Sequence, residues 1–278
     1  MYLSINLLTY GTLSGNNIHE KLLKEKAVMD KYEIVAAIKQ GMNTAASNTY
    51  LMNFDSGGKI ETEYFATVSI GQALFNSKTF RIGDEKIIFE YNTGLFLTST
   101  VPLIKKISTN NIFPKHIIRV CANTSRTGRI DIVLLGNNNG ISYPKCAIEV
   151  KGSSPSKARL FEDIRRNFEY FKHTGNTGKS ELNLAFNCAF ESFDDKRYNS
   201  KKYCFTTCDR DKKIAIIKSK YEEYIREISG EIPPGVTYNI DVFSASENLI
   251  SLSDIHEENE EPPEDIHLTL GVLIKFER

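Results

Sequence analysis

Two apolar runs interrupted by charge constrain this chain more than any other feature. Arg129-Ile130-Asp131-Ile132-Val133-Leu134-Leu135 carries an acid inside a largely β-branched stretch, and a second run from Cys146 closes on Glu149-Val150-Lys151. Strand side chains alternate between faces, so Glu149 and Lys151 share one side of their strand while Val150 takes the other. Charged groups within apolar strands are costly unless they are paired or bound. Between the runs, Gly136-Asn137-Asn138-Asn139-Gly140 suits a hairpin loop. The two strands are therefore expected to be antiparallel neighbours, with Asp131 brought alongside Glu149.

Around this pair the chain alternates helical and extended patterns. Residues 17–40 read as a helix capped by Asn16 or Asn17, with Ile18, Leu22, Ala27 and Ile34 among its apolar positions, and Asn43 to Gly58 reads as a polar connection. Thr62 to Phe75 predicts a second helix with Glu63, Thr67, Ile70 and Leu74 on one side. Strands are expected at Ile87–Tyr91, Ile117–Cys121, Arg129–Leu135 and Cys146–Lys151. Ser154 as N-cap and Pro155 as first helical residue open a helix in which Phe161, Ile164, Phe168 and Phe171 recur at helical spacing. Its other face carries Arg159, Glu162, Arg166 and Glu169. Further strands are expected at Asn183–Phe190, Lys213–Ile217, Tyr238–Phe243 and Leu268–Phe276, with a short helix from Tyr221 to Ile228. The fold class is α/β: a mixed sheet flanked by helices.

Zero net charge hides an uneven distribution. Residues 1–150 carry 16 basic and 12 acidic side chains, residues 151–220 carry 16 and 9, and residues 221–278 carry 3 and 14. A polyanionic ligand would favour the middle segment and avoid the acidic end. Seven of those acids lie in Asp254–Asp265, which also holds two prolines and no Lys or Arg, and this stretch is expected to be a solvated loop. Five scattered cysteines do not form a secreted disulfide framework. Nothing resembles a signal peptide or a membrane span, so a cytoplasmic protein without a membrane partner is expected.

Phosphodiester hydrolysis needs a nucleophilic water and relief of charge on the phosphorus oxygens. Two carboxylates can hold a hard divalent cation with waters, a peptide carbonyl such as that of Val150 can complete the protein's share, and a lysine can orient the water. In this arrangement the residues resemble the PD-(D/E)xK nuclease superfamily, the restriction-endonuclease-like fold. Asp131, Glu149, Val150 and Lys151 match its core pattern, although Ile130 stands where the motif has proline, and the resemblance covers roughly Thr62 to Phe190. It implies a nuclease-like core over 61–222, flanked by a helical extension over 1–60 and a C-terminal extension over 223–278. It further implies an Mg²⁺-dependent endonuclease, with Mn²⁺ substituting, that acts on nucleic acid, most commonly DNA. Asp131 and Glu149 would be metal ligands with Val150, and Lys151 the catalytic lysine. An auxiliary acid often comes from the preceding helix, for which Glu63 is the best match and Glu90 the alternative. Lys157, Arg159, Arg165 and Arg166 could contact phosphates, although Glu162 and Arg166 are also spaced as a surface pair.

Competing chemistries lack their residues. The five histidines form no HExxH cluster, and there is no Walker loop, no GxSxG and no GxGxxG. Cys204 and Cys208 lack two further ligands for zinc. Two other readings stand beside the nuclease. One is a non-catalytic module of the same fold that binds nucleic acid or a partner protein in a multi-component defence or repair system, or pairs as a homodimer. The other is an ion pair that only fixes strand register.

Overall fold

A computed structural model describes residues 29–56, 62–77, 85–107, 115–122, 128–138, 141–194, 206–249 and 267–278. The elements are α1 (Lys31–Ser56), α2 (Thr62–Asn76), β1 (Lys86–Asn92), α3 (Thr93–Thr100), β2 (Ile104–Ile107), β3 (Lys115–Ile118), β4 (Arg129–Asn138), β5 (Ile141–Ser153), α4 (Lys157–Lys172), β6 (Leu184–Asp194), α5 (Thr207–Glu227), β7 (Thr237–Asn248) and β8 (His267–Glu277). Six strands form one mixed sheet in the order β1-β4-β5-β6-β8-β7, and β2 and β3 form a separate two-stranded ribbon. Only β5 and β6 run parallel; the other neighbours are antiparallel. This is the mixed α/β architecture that the alternating patterns imply.

The sheet is covered on both faces. Alternation along β4 and β5 sends Val133 and Ala147 toward α3, α4 and α5, where they meet Phe96, Ile164, Phe168 and Tyr221. Ile132, Leu134, Cys146, Ile148 and Val150 point the other way, against Ile38 and Met42 of α1 and Ile70 and Leu74 of α2. Strands buried on both faces read as continuous apolar runs, and β4, β5 and β6 do so. β8, placed between β6 and β7, completes the same sheet.

Several elements differ from the sequence pattern for identifiable reasons. The pattern over 17–40 predicts a helix from an Asn16 or Asn17 cap, and residues 1–28 lie outside the described residues. Within the described part, the helix is capped by Asp30, whose carboxylate accepts from the N–H groups of Tyr32 and Glu33 at 2.8 Å each. It then runs through the expected polar connection to Ser56, because Met42, Ala45 and Ala46 are buried against α2. Gly41 permits that approach: a Cβ there would sit 2.4 Å from the Ile70 Cα. Close packing thus offsets the roughly 1 kcal/mol that glycine costs inside a helix.

Lys213–Ile217 is not a strand but part of α5, which begins with a reciprocal capping box between Thr206 and Asp209 and buries Ile217, Tyr221 and Ile225 along one face. The expected Tyr221–Ile228 helix is the second half of the same element. α4 starts at Lys157 with Ser156 as its cap, not at Pro155 after Ser154. Ser154 instead adopts φ 50°, the left-handed conformation that turns the chain from β5 into the helix. The hairpin is tighter than expected, with pairing that continues to Asn138 and Ile141. Gly136 faces Tyr143 there, and a Cβ would meet the Tyr143 ring at 2.3 Å. α3 and β2 have no counterpart in the pattern reading. The acidic segment 254–265 lies outside the described residues. No described helix is long and apolar enough to cross a membrane.

Candidate functional site

The site forms where β4 and β5 part company. Their antiparallel pairing extends from Asn138–Ile141 to Ile132–Ile148 and ends there. β5 continues alongside β6, pairing Glu149 with Asn187, Val150 with Cys188 and Ser153 with Phe190. Beyond Ile148 the N–H of Val150 has no partner in the β4–β5 ladder, and the Asp131 carboxylate accepts from it at 2.6 Å. The acid of the first run is thereby fixed against the backbone of the second.

On the face opposite Val150, Glu149 and Lys151 meet α4. Glu149 is almost completely buried and accepts from the Arg166 guanidinium at 3.1 Å. Lys151 Nζ pairs with Asp163 at 2.9 Å and with Glu63 at 3.4 Å, and lies 3.3 Å from the Val150 carbonyl. Glu63 reaches Lys151 from the first turn of α2. Arg166 Nη1 also approaches Asp163, at 3.6 Å. All four expected residues, Glu63, Asp131, Glu149 and Lys151, therefore belong to one charge cluster, joined by Asp163 and Arg166. Glu90 makes no hydrogen bond or ion pair to it among the described residues; it lies exposed on β1 with φ 50°.

Burial sets the electrostatics. It pushes the Glu149 carboxyl up to about 8, with the nearby Asp131 adding to the rise and Arg166 opposing it. Burial likewise raises Asp131 to about 6 against the pull of the Val150 N–H and Lys151. Asp163 is raised by burial despite Lys151 and Arg166. For Lys151, burial favours the neutral amine, but Asp163, Glu63 and Asp131 outweigh it, so the ammonium form is held.

Among the described residues no group of three or more His, Cys, Asp or Glu side chains forms a ready-made metal cage. Mg²⁺ does not require one, because it binds through one or two carboxylates and retains several waters. Asp131, Glu149 and the Val150 carbonyl fit that demand as hard oxygen donors. Glu63 is engaged with Lys151, and Arg166 occupies one oxygen of Glu149.

Pattern reading missed Asp163 and Arg166 as members of the cluster. A signal existed for the first: Asp163 lies three residues after Leu160 and beside Ile164, so it falls on the inward stripe of α4. Arg166 turns to Glu149 and Asp163, not to Glu162 as an i,i+4 surface pair would require. Two buried amides also adjoin Glu149. Asn167 donates to Asn187 at 2.8 Å and to the Phe186 carbonyl at 3.2 Å. Asn187 Nδ2 and Asn167 Oδ1 have no hydrogen-bond partner among the described residues. Of the other expected phosphate contacts, Lys157 pairs with Glu227 and Arg165 forms a bidentate pair with Glu231 at 2.7 and 2.8 Å. Arg159 is exposed and its guanidinium has no partner among the described residues.

Comparison of the chain with protein-family models, with curated proteins and with solved structures gives no match. The site's own geometry and chemistry therefore carry the functional argument.

Proposed function

We propose that the protein is a metal-dependent endonuclease that hydrolyses phosphodiester bonds in nucleic acid, with DNA as the leading substrate. The observation that carries this reading is the meeting of Asp131, Glu149 and Lys151 where two strands diverge. There, the buried Glu149 carboxyl and the half-buried Asp131 carboxyl, both of raised pKa, lie beside a lysine held as its cation. A divalent ion bound by Asp131, Glu149 and the Val150 carbonyl would supply charge relief at the phosphate and a more acidic water. The protein's part is positional. Asp131 is oriented by the Val150 N–H, Glu149 is presented from a rigid buried strand, and Asp163 and Glu63 hold the Lys151 ammonium where charge would develop. The test is Mg²⁺-dependent cleavage of plasmid and single-stranded DNA by purified protein. Wild type indistinguishable from Lys151→Ala and Asp131→Ala would end this reading.

One observation favours the second reading, a non-catalytic module that binds nucleic acid or a partner protein. Glu149 and Lys151 already have ion-pair partners, Arg166 and Asp163, which a purely structural cluster would also show. Calorimetric titration with Mg²⁺ separates the two. The enzyme shows a site that is lost in Glu149→Ala, and the binding module shows none.

A further inference from the structure

Between β1 and β4 the chain changes character. Residues 91–130 contain six Lys or Arg, one His and no Asp or Glu, although 35 of the 278 residues are acidic. Within this stretch β2 and β3 form an antiparallel ribbon outside the main sheet. Lys105, Lys106, Lys115 and His116 are exposed on it, and none has an ion-pair partner among the described residues. Elsewhere, Lys31, Lys157, Arg165 and Lys220 each meet a carboxylate, whereas Lys86, Arg159 and Lys218, without one among the described residues, stand on three separate elements. Directly opposed residues share a face, so Lys106 lies across from His116, while Lys105 and Lys115 occupy the other face, opposite Ile117 and Ile107. Among the described residues no acid pairs with a cation on either face.

The base of the ribbon is fastened to the core. The Arg119 guanidinium donates to the carbonyls of Ser99 and Val101 at 3.2 Å each. Asn176 donates to the Ile118 carbonyl at 2.9 Å and accepts from the Val120 N–H at 3.1 Å. Ile104, Ile118 and Val120 nevertheless remain at least half exposed. An isolated two-stranded ribbon is marginal in water. This one has a rigid anchor and exposed cations with no carboxylate partner among the described residues, and those cations suit an external polyanion.

We propose that the β2–β3 ribbon is a nucleic-acid-binding arm whose lysines contact the phosphate backbone. The proposal rests on the nuclease reading for its ligand but on separate residues. Two-stranded ribbons match the width of a duplex groove, and unpaired lysines release condensed counterions when they meet phosphates.

Fluorescence anisotropy with a short DNA duplex in EDTA, which blocks metal-dependent cleavage, tests the arm alone. The variant combining Lys105→Gln, Lys106→Gln and Lys115→Gln should bind more weakly, by about eightfold per lost phosphate contact at roughly 0.1 M salt, with a correspondingly shallower salt dependence. A control with the same charge change, Lys31→Gln with Lys39→Gln and Lys86→Gln, lies outside both the ribbon and the basic middle segment and should bind as wild type. Circular dichroism of both variants checks that they remain folded. Equal affinity and salt slope for the arm variant and wild type overturn the proposal, even where Mg²⁺-dependent cleavage persists and the nuclease reading survives. Weakened binding without any cleavage by wild type supports the arm and removes the enzyme. Absence of duplex binding by wild type, with self-association in sedimentation that is lost in Ile104→Ser with Ile118→Ser, overturns the arm and assigns the ribbon to a second copy.

Discussion

Raising the pH in the absence of divalent metal should destabilise this protein through Glu149. The folded-state values of about 8 for Glu149 and about 6 for Asp131 lie above their ordinary 4.5 and 3.8. The native state therefore retains protons that the unfolded chain has released. This contribution to stability is fully present below about pH 4 and is lost as pH rises through about 6 and then about 8. Between about pH 6 and 8 Glu149 alone accounts for most of one proton, at about 1.4 kcal/mol per pH unit, or roughly 2 to 3 kcal/mol over the interval. With unfolding entropy near 2.1 cal/mol/K per residue, a chain of this length should lose about 3 to 5 °C in Tm. Thermal unfolding followed by circular dichroism in EDTA measures it. Glu149→Gln replaces the carboxyl with a neutral group of the same shape, so the variant should lose most of this slope. Adding Mg²⁺ near pH 8 should raise the Tm of wild type and leave the variant unchanged. Equal pH slopes in the two proteins would refute the assignment of the buried charge.

Asp163→Asn removes the nearer partner of Lys151, so nuclease activity should fall on the order of 10²-fold, as for loss of an electrostatic positioning group; activity within twofold of wild type would exclude a role for Asp163. Gly41→Ala should destabilise by about 1 to 3 kcal/mol in urea unfolding, because the added Cβ meets the Ile70 backbone at 2.4 Å. Cys121 and Cys208 are exposed whereas Cys146 and Cys188 are buried, with burial pushing the Cys146 thiol up to about 12. A maleimide followed by peptide mass mapping should label the first two and reach the second two only on unfolding.

The parts of the fold legible in the sequence are those where one short-range pattern settles the outcome. β4 and β5 are long apolar runs, and α4 has an unbroken inward stripe from Leu160 to Phe171. Residues 43–56 were not legible because their helix depends on Gly41, Ala45 and Ala46 fitting against α2, a contact between small residues that leaves no strong periodicity. Ile214, Ile216 and Ile217 resemble a strand by composition; their helical state depends on the Thr206 cap and on Tyr221 and Ile225 further along. The charge cluster shows the same division. Alternation put Glu149 and Lys151 on one face, and the end of the β4–β5 pairing at Ile132–Ile148 brought Asp131 to the Val150 N–H. The i,i+4 spacing of Arg166 to Glu162 matches an ordinary surface pair, whereas β5 supplies a buried carboxylate on its other side.

On the proposed function, Asp131 and Glu149 would together hold a divalent cation beside Lys151. Anomalous diffraction from crystals soaked in Mn²⁺ tests it most directly. A peak is expected bonded to the Asp131 and Glu149 carboxylates and the Val150 carbonyl, with Arg166 displaced from Glu149 and no peak in Glu149→Ala. A fully soaked crystal with Arg166 still on Glu149 and no manganese at Asp131 would contradict it.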